Sequence, residues 1–147
     1  MVQSNRAAAQ CVFRHGATAC TDVTGFGLLG HMVEMTRASS VDAEIDLGTL
    51  PLLDGAQETV GLGILSSLQP ANIRLRRAIR NLDKVCNYKR YPLIFDPQTS
   101  GGLLASLPAD RVQTCLRTLH ELGYTKAAVI GRVTAQSGHP EPITLVT

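Results

Sequence analysis

Residues 17–31 read ATACTDVTGFGLLGH, and this stretch limits the fold more than any other in the chain. The run 17–24 is rich in β-branched residues and stops at Gly25, the pattern of a strand. Beyond it Leu28, Met32 and Met35 recur at helical spacing, with Leu29 and Val33 beside them, which predicts a helix from Gly27 to about Ser39. Between the two lies Gly25-x-Gly27-x-x-Gly30, the spacing of a dinucleotide-binding fingerprint, and Asp46 follows sixteen positions later. A strand that hands over to a helix through so short a turn belongs to layered folds in which helices pack on a sheet.

The rest of the chain repeats that alternation. An Ala-rich segment, 4–15, predicts a helix with Ser4 as N-cap and Gly16 at its end. AEIDL (43–47) alternates apolar and acidic residues and predicts an edge strand. The stretch 48–71 is rich in Gly, Pro and Leu and predicts one short helix near 55–62. Leu75, Ile79, Leu82 and Cys86 recur at helical spacing and predict a helix over 72–85. YPLIF (91–95) leads into the loop DPQTSGG, and LLASL (103–107) predicts a strand. A helix over 109–122 buries Val112, Cys115, Leu116, Leu119 and Leu122 and ends at Gly123. AAVIGRVT (127–134) predicts a final strand with a bulge at Gly131. No linker or internal repeat interrupts the chain. The expectation is a single domain over 1–147 of the α/β or α+β class, with helices packed on one mixed sheet.

Composition removes several function classes. Net charge is +2, from 14 basic and 12 acidic residues, too mild to imply nucleic acid. Trp is absent and aromatic residues are 4%, which disfavours recognition of bases by stacking. No apolar run approaches the roughly 18 residues of a membrane span, and the N-terminal stretch does not read as a signal peptide. Cys11, Cys20, Cys86 and Cys115 form no C-x-x-C, which disfavours a zinc knuckle or dithiol redox site and predicts buried free thiols in a reducing cytoplasm. The histidines show no H-x-x-x-H or related ligand spacing.

The glycine turn has two chemistries open to it. A dinucleotide site would place a pyrophosphate against amides at the helix N-terminus. The first strand of such a fold is normally an apolar run buried on both faces, whereas this one reads Cys-Thr-Asp-Val-Thr. Asp22, three residues before Gly25, would also set an anion beside an anion unless a cation lay between them. That objection suggests the second chemistry. Mg²⁺ takes oxygen ligands, commonly one or two carboxylates together with phosphate oxygens and water. Asp22 would be its ligand, Gly25 and Gly27 would allow close approach, and Thr21 and Thr24 would bond the carboxylate or the loop. Spacing alone equally allows Asp22 to cap the turn by accepting backbone amides.

TDVTGFGLLGH, taken with DPQTSGGLL at 96–104, resembles the selenophosphate synthetase (selenide, water dikinase) family, specifically its C-terminal domain. The NRAAA helix before the first motif and the AAVIGRV strand near the end fit the same pattern, and 52–92 is the least similar part. The resemblance implies the fold of the C-terminal domain in the aminoimidazole ribonucleotide synthetase superfamily. It implies an enzyme that makes selenophosphate from selenide, ATP and water, with release of AMP and phosphate. ATP would lie between two domains, and the N-terminal one would carry most of a homodimer contact. Asp22 occupies the position of a Mg²⁺ ligand that works with aspartates of the N-terminal domain. The family's reactive Cys or selenocysteine and its essential Lys have no counterpart here. The expectation is therefore one domain of a longer polypeptide, inactive alone, whose partner is that catalytic domain. A dinucleotide-binding module, another ATP-dependent synthetase of the superfamily and a non-catalytic domain acting in trans are the alternatives.

Three further features complete the reading. Thr99, Ser100, Gly101 and Gly102 could line an anion site or simply make a tight loop. Arg74, Arg76, Arg77, Arg80, Lys84, Lys89 and Arg90 form a basic stretch, expected to be solvated or to meet an acidic partner domain. His31, without a second ligand at matching spacing, is expected to fix the glycine loop by hydrogen bonding.

Overall fold

The structure is a computed structural model and describes residues 3–147. Its elements are α1 (Arg6–Arg14), β1 (Ala19–Asp22), α2 (Gly27–Ser39), β2 (Val41–Asp46), α3 (Ala56–Gly61), α4 (Gln69–Asn72), α5 (Leu82–Val85), β3 (Leu103–Ser106), α6 (Val112–Glu121), β4 (Gly131–Ala135) and β5 (Ile143–Val146). Short 3-10 segments lie at Ile73–Ala78, Tyr91–Phe95 and Ala109–Arg111.

The expected α+β class holds, but the strands divide into two sheets instead of one. β1 and β3 form an antiparallel pair. β2 is the centre of a three-stranded sheet, antiparallel to β4 and parallel to β5. α2 bridges the two. Its Leu29, Met32 and Val33 are buried in one cluster with Ala43 and Ile45 of β2, Ile143 and Leu145 of β5, and Phe95. Each large side chain buried there contributes about 1.5–3 kcal/mol. A smaller cluster of Cys11, Val12 and Cys115 joins α1 to α6.

β2, expected at an edge, is instead central, and Leu122, expected on the buried face of α6, is exposed. Three further segments depart from the sequence expectation. The helix expected over 72–85 is broken. Ile79 adopts extended dihedrals and forms a parallel bridge with Ile143. Asn81 then uses its side chain as a strand would, donating from Nδ2 to the Leu145 carbonyl (2.7 Å) and accepting from Leu145 N (3.0 Å). Pairing with a distant strand outweighs local helical periodicity here. The strand expected to be last, 127–134, begins only at Gly131 and is followed by a further strand, β5. Gly131 makes no bulge. It pairs in register with Ile45, and a Cβ there would overlap the Glu44 carbonyl oxygen, so the glycine serves close strand approach. At the other end Asn5, not Ser4, is the N-cap residue of α1. Its amide does not cap the helix but reaches the Gly101 carbonyl (2.8 Å).

Asp42 is the one buried carboxylate of β2, at 4% exposure. Its Oδ2 accepts from the Ser137 hydroxyl (2.5 Å), from Arg80 Nη2 (2.7 Å) and from Ser137 N (3.1 Å). The Ser137 hydroxyl first, and then Arg80, hold its carboxyl below the usual carboxylate range. A lowered pKa in the folded state adds stability that is complete above the unfolded value, about 4, and is lost as pH falls through the folded value. Urea unfolding from pH 7 to pH 3 should show this. The stability difference between wild type and Asp42→Asn should stay level down to about pH 5 and shrink below it. A difference unchanged at pH 3 would refute the assignment.

Candidate functional site

The two motifs meet at a seam. β1 and β3 pair with Asp22 opposite Leu103, which brings the end of TDVT beside the start of the strand after DPQTSGG. The pairing continues past the strands, with Val23 N donating to the Gly102 carbonyl (2.9 Å) and Gln98 N to the Thr24 carbonyl (3.0 Å). Gly101 packs directly under Val23, leaving no room for a Cβ beside the Val23 carbonyl oxygen. Gly27 has φ +68°, and a Cβ on it would lie 2.9 Å from the Ile94 carbonyl oxygen. Both glycines are therefore required for the loops to touch. Asn72 locks them further, as its buried Nδ2 donates to the carbonyls of Gly25 (2.8 Å) and Phe95 (3.0 Å). Thr21, Asp22, Gly25, Gly27, Thr99, Ser100, Gly101 and Gly102 all belong to this one assembly.

Within the seam, Asp22 lies exposed at the end of β1. The capping alternative for it is not realised, because the amides that follow it bond elsewhere. Val23 N goes to Gly102, Thr24 N to His31 Nε2 (3.0 Å) and Gly27 N to the Thr24 carbonyl. Among the described residues its carboxylate also forms no ion pair. Thr21 Oγ1 donates to the Asp22 carbonyl, not to its carboxylate (3.1 Å). Gly25 is exposed and a Cβ there would meet nothing within 4 Å, so its missing side chain leaves open space and serves no packing contact. Cys20, two residues before Asp22 on the same strand, has its thiol pushed up by partial burial and then by the Asp22 charge.

His31 fixes the loop, as expected. Its ring is 7% exposed. Nε2 accepts from Thr24 N and lies 3.1 Å from Thr24 Oγ1, while Nδ1 faces Glu34 Oε2 at 3.4 Å. On the second loop, burial pushes the Asp96 carboxyl up, and donation from Gln98 Nε2 (3.0 Å to Oδ2) partly opposes the shift. Ser100 takes a left-handed conformation, φ +56°, and with Thr99 stands exposed at the loop tip. Asn5, Asn72 and Gln98 went unnoticed in the sequence, since single amides far apart in the chain carry no periodic signal.

The topology overturns the dinucleotide reading. That fold needs β1 and β2 side by side and parallel in one sheet, joined by the helix between them. Here the two strands lie in different sheets, and Asp46 uses its Oδ1 to accept from Gly48 N (2.7 Å). The basic stretch does not reach the seam as a unit. Arg80 is committed to Asp42, and Arg90 Nη1 donates to the carbonyls of Leu47 and Gly48 (3.2 and 2.6 Å). All four cysteines are free, but only Cys11 and Cys115 are buried, so the expectation of four buried thiols fails for Cys20 and Cys86. The expectation that no histidine shares ligand spacing fails as well. His15 follows Cys11 by four residues, one helical turn, and the two cluster with Cys115. No helix among the described residues is long and apolar enough to cross a membrane.

Comparison with known proteins gives the chain a family. The family AIR synthase related protein, C-terminal domain, matches residues 1–140. The chain is 37% identical over 129 residues to a selenide, water dikinase of Caldanaerobacter subterraneus, covering 88% of this chain and 37% of the relative. It is 38% identical over 138 residues to one of Pseudomonas straminea (89% of this chain, 37% of the relative). It is 33% identical over 135 residues to one of Clostridioides difficile (90% and 38%). The chain thus spans somewhat over a third of the length of these relatives. With a matching family over nearly all its length and both motifs joined as one seam, the chain belongs to the AIR synthase related protein, C-terminal domain family.

Proposed function

We propose that this chain acts as the Mg·ATP-facing C-terminal domain of a selenophosphate synthetase. In that enzyme selenide, ATP and water give selenophosphate, AMP and phosphate. The observation that carries the reading is the state of Asp22. Its carboxylate stands exposed at a strand end, with neither amide nor cation as partner among the described residues, three positions before the exposed Gly25. A carboxylate left with no structural task next to amide-rich loops suits a Mg²⁺ ion shared with phosphate oxygens. One carboxylate is an incomplete Mg²⁺ site, which fits further aspartates contributed by an N-terminal domain. When bound, the ion supplies charge neutralisation for the triphosphate and for phosphoryl transfer.

The chain's own residues have separable tasks in this reading. Asp22 holds the metal. Gly25 admits the phosphates, Gly27 lets the two loops close against each other, and Thr21 and Thr99–Gly102 border the site. His31 and Asn72 hold the first loop in shape. The thiol or selenol and the lysine that act on selenide come from the N-terminal catalytic domain, and the working enzyme is a cytoplasmic homodimer.

The test is reconstitution. The chain is joined to the N-terminal portion of a selenide, water dikinase, and selenide-dependent AMP release from Mg·ATP is measured. The joined protein should turn over, and the 147-residue chain should not. Selenide-dependent AMP release by the chain alone would refute the division of labour. Failure of every correctly folded joined protein to turn over would refute the reading itself.

A further inference from the structure

Away from the seam, α1 and α6 pack through a group of three potential ligands. Cys11 Sγ lies 4.0 Å from Cys115 Sγ and 3.7 Å from His15 Nδ1. The three ligand atoms all fall within 4.8 Å of one another, with both cysteines buried and His15 half-buried at the rim. We propose that Cys11, His15 and Cys115 form a binding site for a zinc ion, with a fourth position open to water at the His15 side.

The geometry favours a metal over the alternatives. Tetrahedral zinc with bonds of about 2.3 Å to sulfur and about 2.0 Å to nitrogen sets its ligand atoms roughly 3.5–3.8 Å apart. The two shorter separations here are already within a few tenths of an ångström of that range. A disulfide would need the two sulfurs about 2 Å closer across two packed helices. It would also give His15 no part, although the ring sits one turn beyond Cys11 with Nδ1 toward its sulfur. Core packing accounts for Val12 and for Ala105, Leu107 and Leu119 around the pair, and in the metal-free state the imidazole at its edge donates to the Cys11 carbonyl (2.8 Å).

Two local features set the expected strength. Without metal, His15 Nδ1 is 2.8 Å from the Cys11 carbonyl, so ligation needs the tautomer with its proton on Nε2 and a small ring rotation. Only three protein ligands converge, one fewer than in closed structural sites, which lowers affinity below that of four-ligand sites. Binding in the range of about 1 µM or tighter at neutral pH is expected.

The experiment uses the reduced, metal-free 147-residue chain. Co²⁺ is titrated in as a spectroscopic substitute, and Zn²⁺ is then added to displace it. One equivalent should bind with sulfur-to-cobalt charge transfer and the intense visible bands of a tetrahedral centre, and zinc should remove both. Cys11→Ser and Cys115→Ser should each weaken binding by at least about 10-fold, and His15→Ala by about 10-fold. The double variant Cys20→Ser/Cys86→Ser should bind as wild type does. Because a core serine could unfold the helix pair, alkylation mapping of the wild type supplies a second readout. Zinc should protect Cys11 and Cys115 while Cys20 and Cys86 react at unchanged rates. Absence of charge transfer, a cobalt spectrum that survives Cys11→Ser, or alkylation indifferent to zinc would each overturn the proposal.

Discussion

Asp22→Asn in the joined enzyme is expected to lower selenide-dependent AMP release from Mg·ATP by about 100-fold or more, with little change in stability. The size follows from the chemistry. Losing one fixed electrostatic contact to a transferring phosphoryl group costs on the order of 10²–10³ in rate, or about 3–4 kcal/mol. The small effect on stability follows from the fold. The carboxylate is exposed, and the amides after it are satisfied by Gly102, His31 and Thr24. Asn keeps the shape and removes only the charge. The check pairs initial rates with a urea midpoint for the same preparation. Unchanged turnover with an unchanged midpoint would remove Asp22 from the metal site. A large drop in the midpoint would show that the side chain has a structural task after all.

Gly101→Ala is expected to cost about 3 kcal/mol of stability, and Gly102→Ala less than about 0.5 kcal/mol. The two glycines are neighbours in one motif and sit in opposite surroundings. An added methyl at Gly101 would overlap the Val23 carbonyl oxygen and lie 2.9 Å from Gln98 Cβ, whereas one at Gly102 would meet nothing within 4 Å. The obstacle at Gly101 is backbone, so relief requires prising β1 from β3. For a chain of this length the loss corresponds to roughly 6–12 °C in Tm. Equal midpoints for the two variants would contradict the packing of the seam. The same pair separates structure from ligand contact, since Gly102→Ala fills open space at the loop without disturbing its backbone.

Features with a local cause were visible in the sequence, and features decided by distant partners were not. The strand–turn–helix unit at 17–39 showed itself because β-branched composition, glycine and apolar period all act within a few residues. The loop-fixing role of His31 is legible because it reaches back only seven positions to Thr24. The break at 72–85 is not legible locally, because Ile79 and Asn81 answer to β5, more than sixty residues away. β5 itself is a four-residue strand after a proline, too short to display a period. The division into two sheets was equally hidden, as pairing partners leave no mark on either strand alone. At the seam, both motifs were legible as motifs. What joins them, the Asn72 amide and the fit of Gly101 under Val23, exists only in three dimensions. The cysteine–histidine cluster lay between these cases. Its Cys11-x-x-x-His15 half was present in the sequence, while Cys115 arrives from α6.

The parallel pairing of β2 with β5 also sets a timetable. Ala43 lies opposite Ile143 and Asp46 opposite Val146, so the central strand waits for partners a hundred residues downstream. During synthesis the ribosome releases β2, α2 and the apolar segment around Phe95 well before Ile143 and Leu145 can join Ile45 and Leu47 in their cluster. At about 5–20 residues per second, that interval lasts roughly 5–20 s. Contacts so far apart in sequence also slow folding after release, because a long loop must close before burial rewards it. The nascent domain thus carries its central strand without either sheet partner for seconds, and chaperone occupancy should peak on chains that end between residues 50 and 140.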